Sequence, residues 1–278
     1  MMPAPDSMIV CQISDLHVKT GGRLAYGVVD TAALLKRCVA HVLTLPQQPA
    51  VVVITGDLTD LGAAEEYALL RELIAPLTMP VYLLPGNHDD RDALRAAFPD
   101  HAYLNQFPPF VQYAIEEHAL RIVAIDTVVP RESHGELCAE RLAWLARTLA
   151  AQPARPTLLV MHHPPFTTGI GHMDEIGLAD PQPLARIVAQ HPQVERVLCG
   201  HLHRSIQTRF AGTLACTAPS TAHQVTLDLA RDAAATFTLE PPGYLLHAWS
   251  AATGVVTHTA FVGEFGGPYS FRDLSGTA

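Results

Sequence analysis

At 278 residues the chain can form one large domain or two small ones, and 49% hydrophobic against 16% charged residues excludes intrinsic disorder. The formal charge is −9, with Lys and Arg sparse and interleaved with acids, which argues against a protein that grips long DNA or RNA through a basic face. No apolar run reaches the roughly 18 residues of a membrane-spanning helix, and residues 1–7 have neither the basic start nor the long apolar stretch of a secretory signal.

In chain order, residues 8–14 (MIVCQIS) have a buried-strand pattern, and residues 30–45 read as a helix with Asp30 as its N-cap. Residues 51–55 (VVVIT) are β-branched and short, a strand. Residues 64–77 read as a helix and 81–84 as the next strand. Further strands are expected at 120–126, 157–161 and 196–199, with helices near 140–151 and 183–190. This alternation predicts an α/β core. After about Ser205, short alternating runs at 213–217, 236–239, 244–249 and 255–261 predict a mostly antiparallel, β-rich half of a single domain over 1–278. Residues 263–278 are either a frayed tail or a strand exchanged with a neighbouring subunit. The chain permits a homo-oligomer without requiring one. Cys11, Cys38, Cys138, Cys199 and Cys216 are odd in number and widely spaced in apolar surroundings. They read as small core residues of a reducing, cytoplasmic compartment rather than as a disulfide frame.

Five short motifs follow predicted strands: Asp15-Leu16-His17, Gly56-Asp57, Gly86-Asn87-His88-Asp89, His162-His163, and Gly200-His201-Leu202-His203. Ligands of open α/β sheets bind outside the carboxyl ends of the strands, so side chains just past five strands converge on one place. Asp, Asn and His offer oxygen and nitrogen donors suited to Mn, Fe, Zn or Co, and no cysteine sits among them. In an extended strand end Asp15 and His17 point to one side, as do His201 and His203, because side-chain direction repeats every two residues.

The ordered series D-x-H, G-D, G-N-H-D, H-H and G-H-x-H resembles the calcineurin-like metallophosphoesterase superfamily, over Asp15 to His203. The resemblance implies a four-layer α/β/β/α sandwich and two divalent metal ions. Asp15, His17 and His203 would hold one ion, Asn87, His162 and His201 the other, and Asp57 would bridge them, with His163 a neighbour. Within the superfamily the chain is most similar to class III cyclic-nucleotide phosphodiesterases and bacterial glycerophosphodiesterases, on the stretches 22–27 (GRLAYG), 85–90 (PGNHDD), 162–165 (HHPP) and 220–225 (STAHQV). It implies that His223 faces the substrate phosphate. Tyr26 either shapes the substrate pocket or packs in its loop, and the Gly-rich loop 167–178 with His172 either overhangs the site or is a solvated connection.

The implied activity is hydrolysis of a small phosphodiester, a 3′,5′-cyclic nucleotide or a glycerophosphodiester. Two ions about 3.5–4 Å apart lower the pKa of water and neutralise phosphoryl oxygens, which makes a hydroxide available for attack. His88, beside Asn87, is the candidate for binding a phosphate oxygen or protonating the leaving alkoxide, and the Asp60 side chain for orienting that imidazole. Protein phosphatases of the superfamily carry an arginine just before G-N-H, whereas this chain has Pro85, which favours a monoanionic diester over a dianionic monoester. The alternatives are a phosphomonoesterase or nuclease of the same fold, and a non-catalytic scaffold. The scaffold reading suffers because all seven expected ligands are present.

Overall fold

A computed structural model describes residues 7–271. The chain begins with β1 (Ser7–Ile13), α1 (Thr31–Leu43), β2 (Val51–Thr55), α2 (Ala64–Ile74), β3 (Val81–Leu84) and α3 (Arg91–Ala97). It continues through β4 (Tyr113–Ile115), β5 (Arg121–Ala124), α4 (Ala139–Ala150), β6 (Thr157–Val160), the one-turn α5 (Gly171–Asp174), α6 (Gln182–Ala189) and β7 (Val194–Cys199). The last elements are all strands: β8 (Ile206–Phe210), β9 (Thr213–Thr217), β10 (Gln224–Val225), β11 (Phe237–Thr238), β12 (Gly243–Ser250) and β13 (Gly254–Phe261).

Two sheets form, ordered β13-β12-β1-β2-β3 and β4-β5-β6-β7-β9-β8, beside a small β10-β11 ribbon. Strands β1, β2 and β3 run parallel, as do β5, β6, β7 and β9, so their carboxyl ends emerge together. Neighbouring residues of one strand supply different cores. Leu158 and Val160 of β6 join the large apolar cluster shared with β1 and β2, whereas Leu159 and Met161 pack with Leu145 and Leu149 of α4 and Leu184 and Val188 of α6. Helices α1 and α2 cover the first sheet through Leu35, Val39, Tyr67 and Leu70. The expected four-layer α/β/β/α sandwich is the architecture found.

The expected elements hold with small shifts at their ends. Asp30 caps α1 by accepting from Ala33 N at 3.0 Å. Helix α2 stops at Ile74 instead of reaching residue 77: Ala75 still has helical dihedrals and donates to Arg71 O, but Pro76 has no amide hydrogen to continue the ladder. The region after Ser205 does not make a sheet of its own. Strands β8 and β9 extend the second sheet, with β9 parallel to β7, and β12 and β13 extend the first beside β1. Strand periodicity shows that such runs pair, but not with which sheet. Cys138 is exposed at the N-cap of α4, contrary to a core reading, while the other four cysteines are buried. Residues 272–278, part of the expected tail, lie outside the described residues.

A buried polar chain ties the two sheets together near the site. Gln12 donates from Nε2 to Thr55 Oγ1 (3.1 Å) and to the Cys199 carbonyl of the opposite sheet (2.8 Å). Its Oε1 lies 3.0 Å from His247 Nε2, and His247 Nδ1 lies 2.9 Å from Thr257 Oγ1. Burial, with the Arg196 charge adding to it, pushes the His247 imidazole down to about 3. Its unfolded value is about 6.5, so the folded state requires the neutral ring and loses stability as pH falls from about 6.5 towards 3, at up to about 1.4 kcal/mol per pH unit. We expect the stability advantage of the wild type over His247→Gln to narrow across that window in urea unfolding measured as a function of pH. A pH-independent difference would refute the assignment.

Candidate metal centre

The site is built where the loops after β1 and β2 zip together. Asp15 N donates to Gly56 O (3.1 Å), Leu16 N and His17 N both donate to Asp57 O (2.8 and 2.9 Å), and Val18 N donates to Leu58 O (3.2 Å). Contrary to the expected pleating of a strand end, the convergence of Asp15 with His17 comes from left-handed backbone geometry. Strand β1 ends at Ile13, and Asp15 (φ 55°), His17 (φ 45°), Asp57 (φ 48°), His201 (φ 69°) and His203 (φ 48°) all occupy the left-handed region. Non-glycine residues avoid that conformation unless the surroundings over-determine it, and such clusters mark functional sites.

Asp57 stands at the centre. One carboxylate oxygen, Oδ1, accepts from His88 N (3.0 Å) and lies 3.4 Å from His162 Nε2, while Oδ2 lies 3.5 Å from His17 Nε2. On the Oδ2 side, His17 Nε2 is 3.1 Å from His203 Nε2, which is 3.7 Å from Asp15 Oδ1. On the Oδ1 side, Asn87 Oδ1 is 3.1 Å from both His162 Nε2 and His201 Nδ1. Ligand atoms around one ion at about 2.0–2.2 Å sit roughly 2.9–3.5 Å apart, the spacing of these donors except the longer His203–Asp15 pair.

The donor chemistry also fits cations. Burial holds the imidazoles of His17 well below the usual range, of His201 near about 3 and of His203 near about 4, so their lone pairs are free of protons. His203 Nδ1 faces the His223 carbonyl, so its Nε2 offers a lone pair 3.1 Å from His17 Nε2, and the buried Asp15 Oδ2 has no hydrogen-bond partner. Burial would also lower His162, but the Asp57 charge and its hydrogen bond raise it to about 9. Burial by itself would raise Asp57, yet His162 and His88 hold it well below the usual carboxylate range. Burial raises Asp15 to about 7, with Asp57 adding to the rise and His162 opposing it.

Two of the remaining ring nitrogens are anchored by backbone carbonyls, His162 Nδ1 by Thr55 (2.7 Å) and His203 Nδ1 by His223 (2.9 Å). Such anchors fix ring orientation in metal sites. His163 has both nitrogens engaged elsewhere, at Thr127 Oγ1 (2.8 Å) and Ser133 O (3.2 Å), which supports His162 as the donor of the pair. His88 donates from Nδ1 to the backbone carbonyl of Asp60 at 2.8 Å. The Asp60 carboxylate therefore does not orient His88. It pairs with Lys19 and lies 3.8 Å from His17 Nδ1.

The seven expected ligands, His88 and His223 thus meet at one place, and Tyr26 stands at its mouth with its ring 5.3 Å from that of His223. All of these but Asp15 and His162, together with α5 and the β10–β11 ribbon, line a cavity of about 330 Å³. Loop 167–178 does overhang it, through His172, Met173 and Ile176. Sequence reasoning missed Asp89, whose carboxylate accepts from Leu58 N, Thr59 N, Gly86 N and Tyr67 Oη and so clamps two ligand loops to each other. Its only signal was the fourth position of G-N-H-D.

A family model described as calcineurin-like phosphoesterase matches residues 8–205. The chain belongs to that family. It is 40% identical over 270 residues to the probable glycerophosphodiester phosphodiesterase GpdQ of Arcobacter nitrofigilis, covering 97% of this chain and 98% of that protein. It is 35% identical over 264 residues to a probable cyclic nucleotide phosphodiesterase of Rhodopseudomonas palustris, covering 94% and 95%. A dimetal phosphatase from Danio rerio shares the fold at a TM-score of 0.62 and 15% identity, over 92% of this chain and 99% of that one. Among the described residues no helix is long and apolar enough to cross a membrane.

Gly86 lies against this centre. A Cβ there would collide with the Asp57 carboxylate and backbone and lie 2.8 Å from His162 Cε1. We expect Gly86→Ala to displace both side chains, so that metal content after reconstitution falls well below that of the wild type while far-ultraviolet circular dichroism is retained. Full metal loading of the folded variant would count against this close approach.

Proposed function

We propose that the chain is a phosphodiesterase using two divalent cations, drawn from Mn, Fe, Zn or Co, on a small diester: a 3′,5′-cyclic nucleotide or a glycerophosphodiester. The observation that carries the reading is the division of the donors into two groups that share one carboxylate. Asp15, His17 and His203 would hold one ion, Asn87, His162 and His201 the other, and Asp57 both. Bound there, the ions supply Lewis acidity that acidifies water and offsets phosphoryl charge. The free thiols suit a reducing, cytoplasmic setting.

The chain's own groups do the rest. Although burial lowers it, Asp57 and the Asp60 carbonyl raise the His88 imidazole above its ordinary value, and the hydrogen bond to Asp60 O commits Nδ1. That leaves Nε2 to donate into the cavity, to a phosphate oxygen or to the departing alkoxide. His223, driven down to about 3 mainly by burial, is neutral, and its ring flanks those of His17 and His203 at 5.7 and 4.6 Å. Among the described residues, none lining the cavity is Lys or Arg, and Pro85 stands where the superfamily's protein phosphatases have a clamping arginine. With no fixed guanidinium to meet a second phosphate charge, a monoanionic diester is favoured over a dianionic monoester.

The first test is hydrolysis of bis(p-nitrophenyl) phosphate against p-nitrophenyl phosphate, with chelator-stripped protein titrated by each metal. We expect metal-dependent turnover favouring the diester and lost in Asn87→Ala. Preference for the monoester would move the assignment to a phosphatase, and no turnover with any metal would revive the scaffold. A second test separates two neighbours: His88→Ala should lower kcat by about 10²–10⁴, the range for a positioned acid. Asp60→Asn keeps the carbonyl that holds His88 and should cost far less; equal losses would show that the carboxylate acts on the chemistry.

A further inference from the structure

We propose that Phe237, set beside Tyr26, is a specificity-determining residue that binds an ester arm carrying a planar aromatic ring such as a nucleobase; the inference rests on the phosphodiesterase reading above. Phe237 lies on the β10–β11 ribbon, where it pairs directly with Val225. Directly opposed residues of an antiparallel pair share a face, and both residues line the cavity, so the ribbon turns one apolar face to the metal centre. The Tyr26 and Phe237 rings lie 4.9 Å apart at 36°, while His223 meets both edge-on, at 5.3 Å and 77° to Tyr26 and 5.1 Å and 68° to Phe237. The three rings brace one another, with His223 on the inner side against His203.

The ledge is not explained by packing alone. Tyr26 is held in the left-handed region at φ 52° and yet stays 63% exposed, so a strained residue presents an aromatic surface to solvent at the mouth of the cavity. A ribbon of two residue pairs is too short to be stable alone and is positioned by what its side chains touch. The opposite part of the cavity is polar, with Asp57, Asn87 and His88, so a bound diester has its phosphate fixed on one side and an apolar face beside one arm. Stacking on an aromatic ring rewards a π-face and offers nothing comparable to glycerol or ethanolamine, and among the described residues no lining Lys or Arg offers a partner for a second phosphate.

The test compares the metal-loaded full chain with Phe237→Ala, Phe237→Leu and Phe237→Trp, on 3′,5′-cyclic AMP and on glycerophosphoethanolamine. Removing the ring in the Ala and Leu variants should lower the ratio of kcat/KM for the cyclic nucleotide to that for the glycerol diester roughly tenfold, mainly through KM, as expected for one lost stacking contact. Phe237→Trp should keep the ratio. A parallel fall on both substrates, or no change on either, overturns the ledge as a determinant of specificity. Hydrolysis of neither substrate by the wild type overturns the phosphodiesterase reading itself and the ledge with it.

Discussion

The Asp57 carboxylate is the constraint around which the rest is arranged. Its two oxygens face different donor groups, with His17 on one side and His162 on the other, and its backbone carbonyl accepts from Leu16 and His17. His17 comes from the first sheet and His162 from the second, so one side chain couples both halves of the sandwich. Keeping it ionised while buried requires positive charge nearby. The surrounding imidazoles lower its pKa, and two divalent ions would satisfy the same demand more completely.

This arrangement needs backbone that ordinary strands cannot provide. Five ligand candidates adopt left-handed geometry, and glycine beside Asp57 and His162 lets the loops approach to contact distance. The compensation lies outside the centre. Asp89 gathers donors from two loops and from Tyr67 of α2, Gln12 crosses between the sheets, and Asp126 accepts two hydrogen bonds from Arg91 and one from Val111 N. These buried carboxylates and amides hold the loops with polar contacts where apolar packing would lack direction. They also make the region intolerant of single deletions, since each lost partner orphans several buried groups.

The cavity then divides labour by polarity. Its floor is imidazole, amide and carboxylate, matched to metal and phosphate, whereas its mouth is aromatic and aliphatic, built from a loop, a single helical turn and a short ribbon. The floor depends on the loops that leave the two sheets. The mouth depends on connections, the part of an α/β protein most free to vary between substrates.

The candidate ligands were legible in the sequence because each follows an apolar strand that announces its own end, and because the five motifs in that order resemble those of one family. The strands and helices were legible for the same reason of periodicity. Their assembly was not. Hydrophobic alternation cannot say that β9 pairs with β7 or that β12 lies beside β1, since pairing is decided by which faces the whole chain leaves uncovered. Nor could it show that Asp15 and His17 converge through left-handed geometry rather than strand pleating, or that His88 hydrogen-bonds a carbonyl of Asp60 and not its carboxylate. The chain's residue types and spacing determined the donor set. Which atoms face one another, and the aromatic ledge that joins Tyr26 to Phe237 across more than two hundred residues, were decided only when distant loops packed together.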